Sequence, residues 1–272
     1  LDVLGRIMRR PNGIFLVTGP TGSGKTTTLH AALASINDTA KNIMTIEDPV
    51  EIQQPGVGQI EVNAKIDLTF AAGLRSILRQ DPNVVLVGEI RDKETAEIAI
   101  QASLTGHLVL STIHTNDAAT VVNRLVDMGV EPFLVASSII GVLAQRLLRR
   151  LCSECREPYD PTPEELIEVG IDPSKVTGPI YRPRTGGCEE CLLTGYRGRT
   201  GIYELLAISE HVRSLVVRNL SSTEIRDAAV AEGMVPLRFS GGQKVLAGGT
   251  SVEEVMRITQ DDSVTIADAP GA

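Results

Sequence analysis

The sequence has no excess of basic side chains and few aromatic ones. Among its 272 residues, lysine and arginine number 26 against 34 acidic residues, for a formal net charge of -8. A broad nucleic-acid-binding surface needs a basic patch that displaces phosphate counterions. Aromatic residues make up only 3%, and no basic segment is interleaved with them to stack on bases. The sequence therefore predicts no nucleic-acid partner.

Long apolar runs are also missing. No run approaches the ~20 residues that span a bilayer, and no signal peptide opens the sequence. We therefore expect a soluble, intracellular protein. The sequence begins at Leu1 rather than methionine, and its first residues resemble an element already under way, which predicts a fragment of a longer chain.

A phosphate-binding motif is present near the start. The segment GPTGSGKTT fits the pattern GxxxxGK[ST], between an apolar β-rich run at residues 14–18 and a helical pattern at residues 26–33. Glycines in this setting let backbone N–H groups approach a triphosphate, and the helix N-terminus favours negative charge. Lys25 is predicted to reach the β and γ phosphates, and the Thr26 hydroxyl to bind Mg²⁺. The predicted ATP-binding residues are Gly19, Pro20, Thr21, Gly22, Ser23, Gly24, Lys25, Thr26 and Thr27. The alternative is a chance match, which the correct flanks argue against.

Strand-like runs alternate with helical patterns through the first half of the sequence. The runs lie at residues 14–18, 43–46, 84–87 and 108–113. This alternation predicts an α/β fold with a parallel sheet and helices on both faces. Asp92 is predicted to cap a helix that Gly106 ends, and Asp117 to cap one that Gly129 stops.

Two of the predicted helices carry arginine clusters. A helix from Pro132 to about Leu151 is predicted from its apolar spacing, with Arg146, Arg149 and Arg150 near its end. We expect these arginines to interact with the helix dipole, and a partner-binding patch is the alternative. On a helix predicted at residues 68–80, Arg75 and Arg79 share one face. This face is predicted either to contact a nucleotide or a neighbouring subunit, or to be exposed to solvent.

The run at residues 84–87 ends in Gly88 and Glu89. A carboxylate at a buried strand tip beside a phosphate loop can orient or deprotonate the water that attacks the γ-phosphate, so Glu89 is the predicted catalytic acid. Many nucleotidases have an aspartate where Gly88 stands, which leaves metal binding by this strand open. An acid that merely caps the strand end is the alternative reading.

Two further polar clusters follow predicted strands, at the edge where open α/β sheets place their ligands. In TIEDPVE, Glu47 and Asp48 precede Pro49, and a carboxylate here could coordinate Mg²⁺ through water or position the nucleophile. In TGHLVLSTIHTNDA, His114 could hydrogen-bond a γ-phosphate, whereas His107 could simply fix a loop. Glu47 and His114 therefore join Lys25 and Glu89 as predicted catalytic residues.

The cysteines form two CxxC pairs, separated by a long insert. Four thiolates suit tetrahedral Zn²⁺ in a closed structural site. Disulfide bonds are the main alternative, but a soluble intracellular chain would keep its thiols reduced. Redox exchange at either pair is a weaker alternative. The insert has its own predicted helix at residues 162–169, with Thr162 as its N-cap. The predicted zinc ligands are Cys152, Cys155, Cys188 and Cys191.

The remainder is predicted to be a small, mostly helical region. A tight loop at residues 195–201 leads into a strand at 202–206, Ser209 caps a helix, and capping boxes are predicted at residues 221–224 and 250–253. The predicted organisation is a P-loop ATPase domain at residues 1–151, a tetracysteine zinc subdomain at 152–191, a C-terminal region at 192–260 and a disordered tail at 261–272.

These motifs together resemble the secretion ATPase superfamily. Its Walker A, Asp box, Walker B and His box correspond to GPTGSGKTT, TIEDPVE, LRQDPNVVLVGEIRD and TGHLVLSTIHTNDA. The segment GVEPFLVASSIIGVLAQRLLRRLC and the cysteine pairs are similar to the type II secretion assembly ATPases, the general secretion pathway protein E family. The closing segment also resembles that family, although Ser240 stands where aspartate is usual.

The resemblance implies a fold and an activity. It implies a RecA-like core, Mg²⁺-dependent ATP hydrolysis and a hexameric ring at the cytoplasmic face of the inner membrane, held there by partner proteins. Such a motor acts on an inner-membrane platform protein to drive pseudopilus assembly and protein export. Family members also have an N-terminal domain that supplies arginines to the nucleotide. The alternatives are a type IV pilus extension ATPase, a nucleic-acid translocase, or a non-catalytic module that binds nucleotide or zinc.

Overall fold

A computed structural model describes residues 2–260, and the tail predicted from residue 261 lies outside them. The chain divides into two compact units. The first contains the residues up to Pro20, Gly24–Leu143 and Leu206–Ala229. The second contains Thr21–Ser23, Ala144–Leu205 and the residues from Val230 onward. Within the described residues, no helix is both long and apolar enough to cross a bilayer.

A parallel sheet with helices forms the first unit. Its strand order is β3-β2-β4-β5-β1, and every pairing among these five strands is parallel. The strands are β1 Gly13–Thr18, β2 Ile43–Glu47, β3 Val57–Glu61, β4 Val84–Val87 and β5 Leu108–Ile113. The helices that belong wholly to this unit are α1 Asp2–Met8, α2 Lys25–Ile36, α3 Phe70–Leu78, α4 Lys93–Leu104, α5 Thr120–Asp127, α6 Pro132–Ser138 and α8 Glu210–Val217.

The central strands are buried on both faces, which explains their continuous apolar sequence. Every residue of β1, β4 and β5 is buried. Parallel strands covered by helices on both sides read as unbroken runs of valine, leucine and isoleucine rather than as an alternation. The predicted strands at residues 84–87 and 108–113 are confirmed at their exact limits. The sequence analysis missed β3, in which three residues are half-buried and two are exposed.

The second unit contains a small antiparallel pair of strands and the helices α7, α10 and α11. Strand β7, Glu157–Tyr159, pairs with β8, Ile180–Arg182, and between them lies α7, Pro163–Glu168. Two long neighbouring strands, β6 and β9, contribute most of their length to this unit. The two strands are β6 Ile139–Leu151 and β9 Tyr196–Ala207. The last helices of the chain are α9 Ser222–Ala231, α10 Leu237–Leu246 and α11 Val252–Ile258. Helix α9 begins in the first unit and ends in the second.

The helix predicted from Pro132 to Leu151 is wrong. It ends at Ser138, and strand β6 follows. Because the first eight residues of this strand are all buried, its apolar positions fit a helical spacing as well as a strand, and periodicity cannot separate the two. A Cβ atom at Gly141 would approach the Ile7 side chain to 2.8 Å, so the glycine allows close packing there.

The predicted interaction of three arginines with a helix dipole is therefore wrong too. Arg146, Arg149 and Arg150 lie on β6, where there is no helix end. Arg146 is buried, Arg150 is exposed, and Arg149 forms an ion pair of 2.7 Å with Glu254 of α11.

Most of the predicted helix caps are confirmed. The side chains of Asp92, Thr162 and Ser209 accept hydrogen bonds from the first turns of α4, α7 and α8, and Ser221 and Glu224 form their predicted box. The box at residues 250–253 is wrong by one residue, because Ser251 caps α11. The Thr250 hydroxyl instead donates to the Arg149 carbonyl at 2.8 Å. The loop predicted at residues 195–201 is also wrong, since β9 begins at Tyr196.

Candidate functional site

The phosphate loop, residues 19–27, joins the end of β1 to the start of α2. Gly22 and Gly24 have φ angles of 78° and 87°, in the left-handed region that side chains other than glycine rarely adopt. Gly24 directly precedes α2 and has no side chain to cap it. The first N–H groups of the helix therefore point toward the loop, and their partial positive charge suits a phosphate.

Lys25 is folded back over the start of this loop. Its Nζ donates hydrogen bonds to the carbonyls of Gly19 at 2.8 Å and Pro20 at 3.0 Å. Thr26, the predicted Mg²⁺ ligand, follows in the first turn of α2. These contacts hold the ammonium group beside the loop where a triphosphate is predicted to sit.

Within the second unit, the tip of the loop is held by a residue that the sequence analysis missed. Gln145 of β6 is 2% exposed, and its Nε2 donates to the carbonyl of Ser23 at 2.6 Å. Gln145 was missed because this stretch was predicted as a helix.

Glu89 lies just beyond β4 and is engaged on both carboxylate oxygens. Arg91 donates from Nε to Oε2 at 2.6 Å, and His114 Nε2 lies 3.0 Å from Oε1. The Glu89 side chain is only 15% exposed, whereas those of Arg91 and His114 are 60% and 46% exposed. The structure thus brings together two of the predicted catalytic residues, Glu89 and His114, and adds Arg91.

The backbone around Glu89 is fixed by the neighbouring strands. Gly88 N–H donates to the Ile46 carbonyl at 2.8 Å, and Ile90 N–H donates to the Thr112 carbonyl at 2.9 Å. The Thr112 hydroxyl in turn donates to the Gly88 carbonyl at 2.7 Å. A Cβ atom at Gly88 would lie 3.2 Å from the Phe70 ring and 3.3 Å from the Ile46 carbonyl. This crowding explains why glycine, rather than aspartate, precedes Glu89.

The segment that carries His114 is joined to the strand that leads into the phosphate loop. Thr18, the last residue of β1, has its hydroxyl 2.8 Å from that of Thr115 and accepts a hydrogen bond from the Thr115 N–H, also at 2.8 Å. The Thr115 hydroxyl lies 2.8 Å from the Asp117 carbonyl, to which it can donate. The Asp117 carboxylate accepts from the N–H of Thr120, at the start of α5.

Glu47 occupies a buried site at the end of β2. It is 3% exposed, and Oε2 lies 2.9 Å from Nε2 of His30 on α2. Its other oxygen accepts from the Thr45 hydroxyl at 2.6 Å and from Gln59 of β3 at 3.0 Å. Asp48, which follows, is exposed. His30 and Gln59 were missed, because His30 lies within a helical pattern and β3 was not recognised.

The other candidate side chains lie elsewhere. His107 precedes β5, at the opposite edge of the sheet from the phosphate loop, and its Nδ1–H donates to the Ala102 carbonyl at 2.9 Å. It therefore fixes a loop. Arg75 pairs with Glu94 at 2.6 Å on an exposed surface, and Arg79 donates to the Ser76 hydroxyl at 3.2 Å.

The four cysteines form one cluster in the second unit. The Sγ atoms of Cys152, Cys155, Cys188 and Cys191 all lie within 4.8 Å of one another. The Sγ atoms of Cys152 and Cys188, of Cys155 and Cys191, and of Cys188 and Cys191 lie 3.8 Å apart, far longer than the roughly 2.05 Å of a disulfide bond. The cysteines are free, and a sulfur-only set of four ligands is compatible with structural zinc.

Local hydrogen bonds prepare one of these thiols to bind a cation. Burial raises the pKa of Cys191, but hydrogen bonds from the N–H groups of Cys188 and Gly195 outweigh it and bring this pKa to about 6. Burial and the neighbouring sulfurs raise the pKa of Cys155 to about 12. Since a metal needs thiolates, binding must release the proton of Cys155.

Comparisons with known proteins identify the family. Residues 1–257 match the profile of the family described as "Type II/IV secretion system protein". The chain belongs to this family. It is 56% identical over 260 residues to "Type II secretion system protein E" of Pseudomonas aeruginosa. It is 52% identical over 260 residues to "Type II secretion system ATPase E" of Vibrio cholerae. Each alignment covers 96% of this chain and 51% of the relative. The predicted family resemblance is confirmed.

Another family member and two solved structures extend the comparison. "Type IV pilus assembly ATPase PilB" of Myxococcus xanthus is 50% identical over 254 residues, which cover 93% of this chain and 45% of PilB. The crystal structure of "the Pilus Retraction Motor PilT and Bound ADP" has a TM-score of 0.68 and 29% identity, covering 94% of this chain and 64% of PilT. The structure of the Legionella pneumophila ATPase DotB has the same TM-score of 0.68 and covers 96% of this chain and 64% of DotB. At 22% sequence identity, this likeness supports only a shared fold.

These comparisons confirm the predicted α/β fold with a largely parallel sheet. They also support ATPase activity for the family. The chain spans about half the length of the curated relatives that it matches, 45 to 51%.

Proposed function

We propose that this chain is the ATP-hydrolysing part of a motor for type II secretion. The observation that carries the proposal is the placement of three predicted groups at one edge of the first unit's sheet. The phosphate loop follows β1, Glu89 follows β4 and His114 follows β5, and these strands are parallel neighbours in the order β4-β5-β1. Open α/β sheets bind their ligands at this edge.

The residues have separate roles in the proposed reaction. Lys25 and the N–H groups at the start of α2 bind the phosphates and stabilise charge in the transition state. The Thr26 hydroxyl holds Mg²⁺, which neutralises phosphate charge when bound. Glu89 orients the attacking water and accepts its proton, and His114 lies beside Glu89 to contact the γ-phosphate.

Glu47 acts in this proposal by positioning. Its buried contact with His30 joins β2 to α2, the helix that carries Lys25 and Thr26 at its start. A carboxylate with three partners at its two oxygens holds the strand end and the helix in one arrangement.

The cysteine cluster is assigned to structural zinc. A zinc ion held by Cys152, Cys155, Cys188 and Cys191 has all four tetrahedral positions filled by protein, which leaves no position for a substrate. It would therefore supply stability to the second unit rather than chemistry. The predicted boundaries at residues 151 and 191 stay part of this proposal.

The proposed setting follows from the relatives' names. The V. cholerae relative is called a type II secretion system ATPase, and several relatives at 52 to 56% identity are type II secretion proteins. We propose a homo-hexamer in the full-length protein that is cytoplasmic and associates peripherally with the inner membrane through its platform protein. The second candidate is type IV pilus extension, which the 50% identity to PilB favours.

The experiment is phosphate release by the full-length protein in two pairs of variants. Glu89→Gln should keep ATP binding and lose hydrolysis by about 10²-fold or more, because general-base catalysis contributes that much. Lys25→Ala should lose binding. The controls are Glu94→Gln and Lys65→Ala, which change exposed residues away from the loop, and omission of Mg²⁺ should abolish turnover. Unchanged hydrolysis by Glu89→Gln contradicts the assignment of the base. Restoration of secretion or of pilus extension in deletion strains separates the two settings.

A further inference from the structure

The Glu89 carboxylate is held on both of its oxygens. One oxygen accepts from Arg91 at 2.6 Å and the other lies 3.0 Å from His114. A general base must present an oxygen to the water that it deprotonates. The pairing with Arg91 competes with that task, because a charge-assisted hydrogen bond is stronger than one to water.

The backbone on either side of Arg91 is fixed, so Arg91 can change its hydrogen-bond partner by moving its side chain alone. On its N-terminal side, Ile90 is 2% exposed and its N–H is bonded to the Thr112 carbonyl. On its C-terminal side, Asp92 caps α4 and accepts from Thr95 at 2.8 Å. The backbone is thus fixed at both neighbours, whereas the Arg91 side chain is 60% exposed.

The chemistry of guanidinium suits a second, stronger partner at this edge of the sheet. Arginine has five N–H donors arranged in a planar fork that matches phosphate as well as carboxylate. A terminal phosphate carries more negative charge than one carboxylate and is proposed to bind at the same strand edge as Glu89. Because the Arg91 side chain is 60% exposed, a more highly charged phosphate can compete with the Glu89 carboxylate for its guanidinium.

We propose that Arg91 is a positioning residue that restrains Glu89 until a triphosphate binds. In the resting state Arg91 pairs with Glu89; when ATP binds, the terminal phosphate takes Arg91 and leaves the carboxylate free to orient water. This inference rests on the proposed ATPase function, since it assigns a control to that same site. It predicts that Glu89 and the nucleotide compete for one guanidinium.

A double-mutant cycle measured by binding tests this competition without turnover. The full-length wild type, Glu89→Gln, Arg91→Gln and the double variant are titrated with ATPγS and Mg²⁺. Glu89→Gln keeps the shape of the side chain and removes the charge that holds Arg91, so we expect it to bind ATPγS roughly 3- to 10-fold more tightly, within the couplings found for residues in contact. In the Arg91→Gln background this gain should disappear.

Three further measurements sharpen the test. With ADP, which lacks the terminal phosphate, the gain from Glu89→Gln should be absent. Arg91→Lys keeps the charge without the fork and should restore part of the gain. The matched control is the exposed pair Arg75 and Glu94, whose cycle of glutamine variants should show no coupling to nucleotide. Circular dichroism establishes that each variant is folded.

The outcomes separate this inference from the proposed function. A gain that persists in the Arg91→Gln background, or that is equal with ADP, reflects only the removal of charge repulsion and overturns the role of Arg91. No gain in Glu89→Gln overturns it as well. If the wild type binds no nucleotide at all, the proposed ATPase function itself fails.

Discussion

His30 on α2 and Glu47 at the end of β2 are joined by a contact of 2.9 Å, with each residue only 3% exposed. The helix that begins at the phosphate loop is thereby connected to the strand that carries the Asp box. Buried polar groups of this kind are costly when they lose a partner. The pair therefore contributes to the stability of the fold as well as to the geometry of the site.

We predict that His30→Ala lowers the free energy of unfolding by about 3 kcal/mol, because it leaves a cavity and a carboxylate with one fewer partner. Urea unfolding followed by circular dichroism measures the change. His211→Ala removes an exposed imidazole on α8 and should change stability by less than about 0.5 kcal/mol. Equal stability of His30→Ala and the wild type would show that the contact contributes nothing.

Gly88 is predicted to tolerate a larger side chain poorly. In Gly88→Ala the new Cβ meets the Phe70 ring at 3.2 Å and the Ile46 carbonyl at 3.3 Å, so we expect a destabilisation of about 1 to 3 kcal/mol. Gly88→Asp should be worse, because it adds a carboxylate to the same space. Gly5→Ala, where a Cβ meets nothing within 4 Å, serves as the control in thermal unfolding. A Gly88→Asp variant as stable as the wild type would contradict the crowding argument.

Because of Glu254, the stability of the second unit is predicted to fall at low pH. Burial alone raises the pKa of Glu254, but hydrogen bonds from Arg257 and Arg149 outweigh it and hold this pKa below its usual value. A carboxyl whose folded-state pKa is depressed stabilises the fold fully above the unfolded value of about 4.3, and that stabilisation is lost as the pH falls through the folded value.

Glu254→Gln should therefore destabilise the protein by about 2 to 3 kcal/mol at pH 7, and the difference from the wild type should shrink below about pH 4.3. Urea unfolding at a series of pH values gives this difference. Glu253→Gln, an exposed neighbour on the same helix, should leave the wild-type pH dependence in place. A Glu254→Gln deficit that stays constant into acid would rule out titration of this carboxyl as its source.

The cysteine cluster is predicted to hold one zinc ion per chain. Cys188→Ser should lose the metal in elemental analysis and lower the melting temperature, because structural zinc binds with an apparent energy of ~10 to 16 kcal/mol. Ser153 lies between the predicted ligands Cys152 and Cys155 and is exposed, so Ser153→Ala should retain both the zinc and the wild-type melting temperature. Retention of one zinc by Cys188→Ser would show that this cysteine is not a ligand.

The sequence predicted the elements whose signals are local. The β1 and β4 runs, the glycine-rich turn after β1 and the cap at Asp92 each depend on a few adjacent residues, and the structure has all of them. Phosphate binding by that turn stays a prediction. The four cysteines were also expected together, and their spacing alone indicated a shared site.

Features that depend on contacts distant in sequence could not be predicted. Strand β6 was taken for a helix, because burial on both faces removes the alternation that marks a strand. The facing of His30 and Glu47 is a contact of this kind. Arg91 lies only two residues from Glu89, but sequence proximity does not show that the two side chains meet, so this contact was missed as well. The hydroxyl of Thr250, which was predicted to cap a helix, instead donates to the Arg149 carbonyl of β6.

The paired hydroxyls of Thr18 and Thr115 have a mechanical consequence. Thr18 is the residue before Gly19, and Thr115 is the residue after His114, so the 2.8 Å contacts couple the two loops. We therefore expect a ligand that shifts the backbone at Gly19 to displace the imidazole of His114 as well, even where it does not touch that ring. On this expectation, two small side chains carry a shift of the first loop to the second.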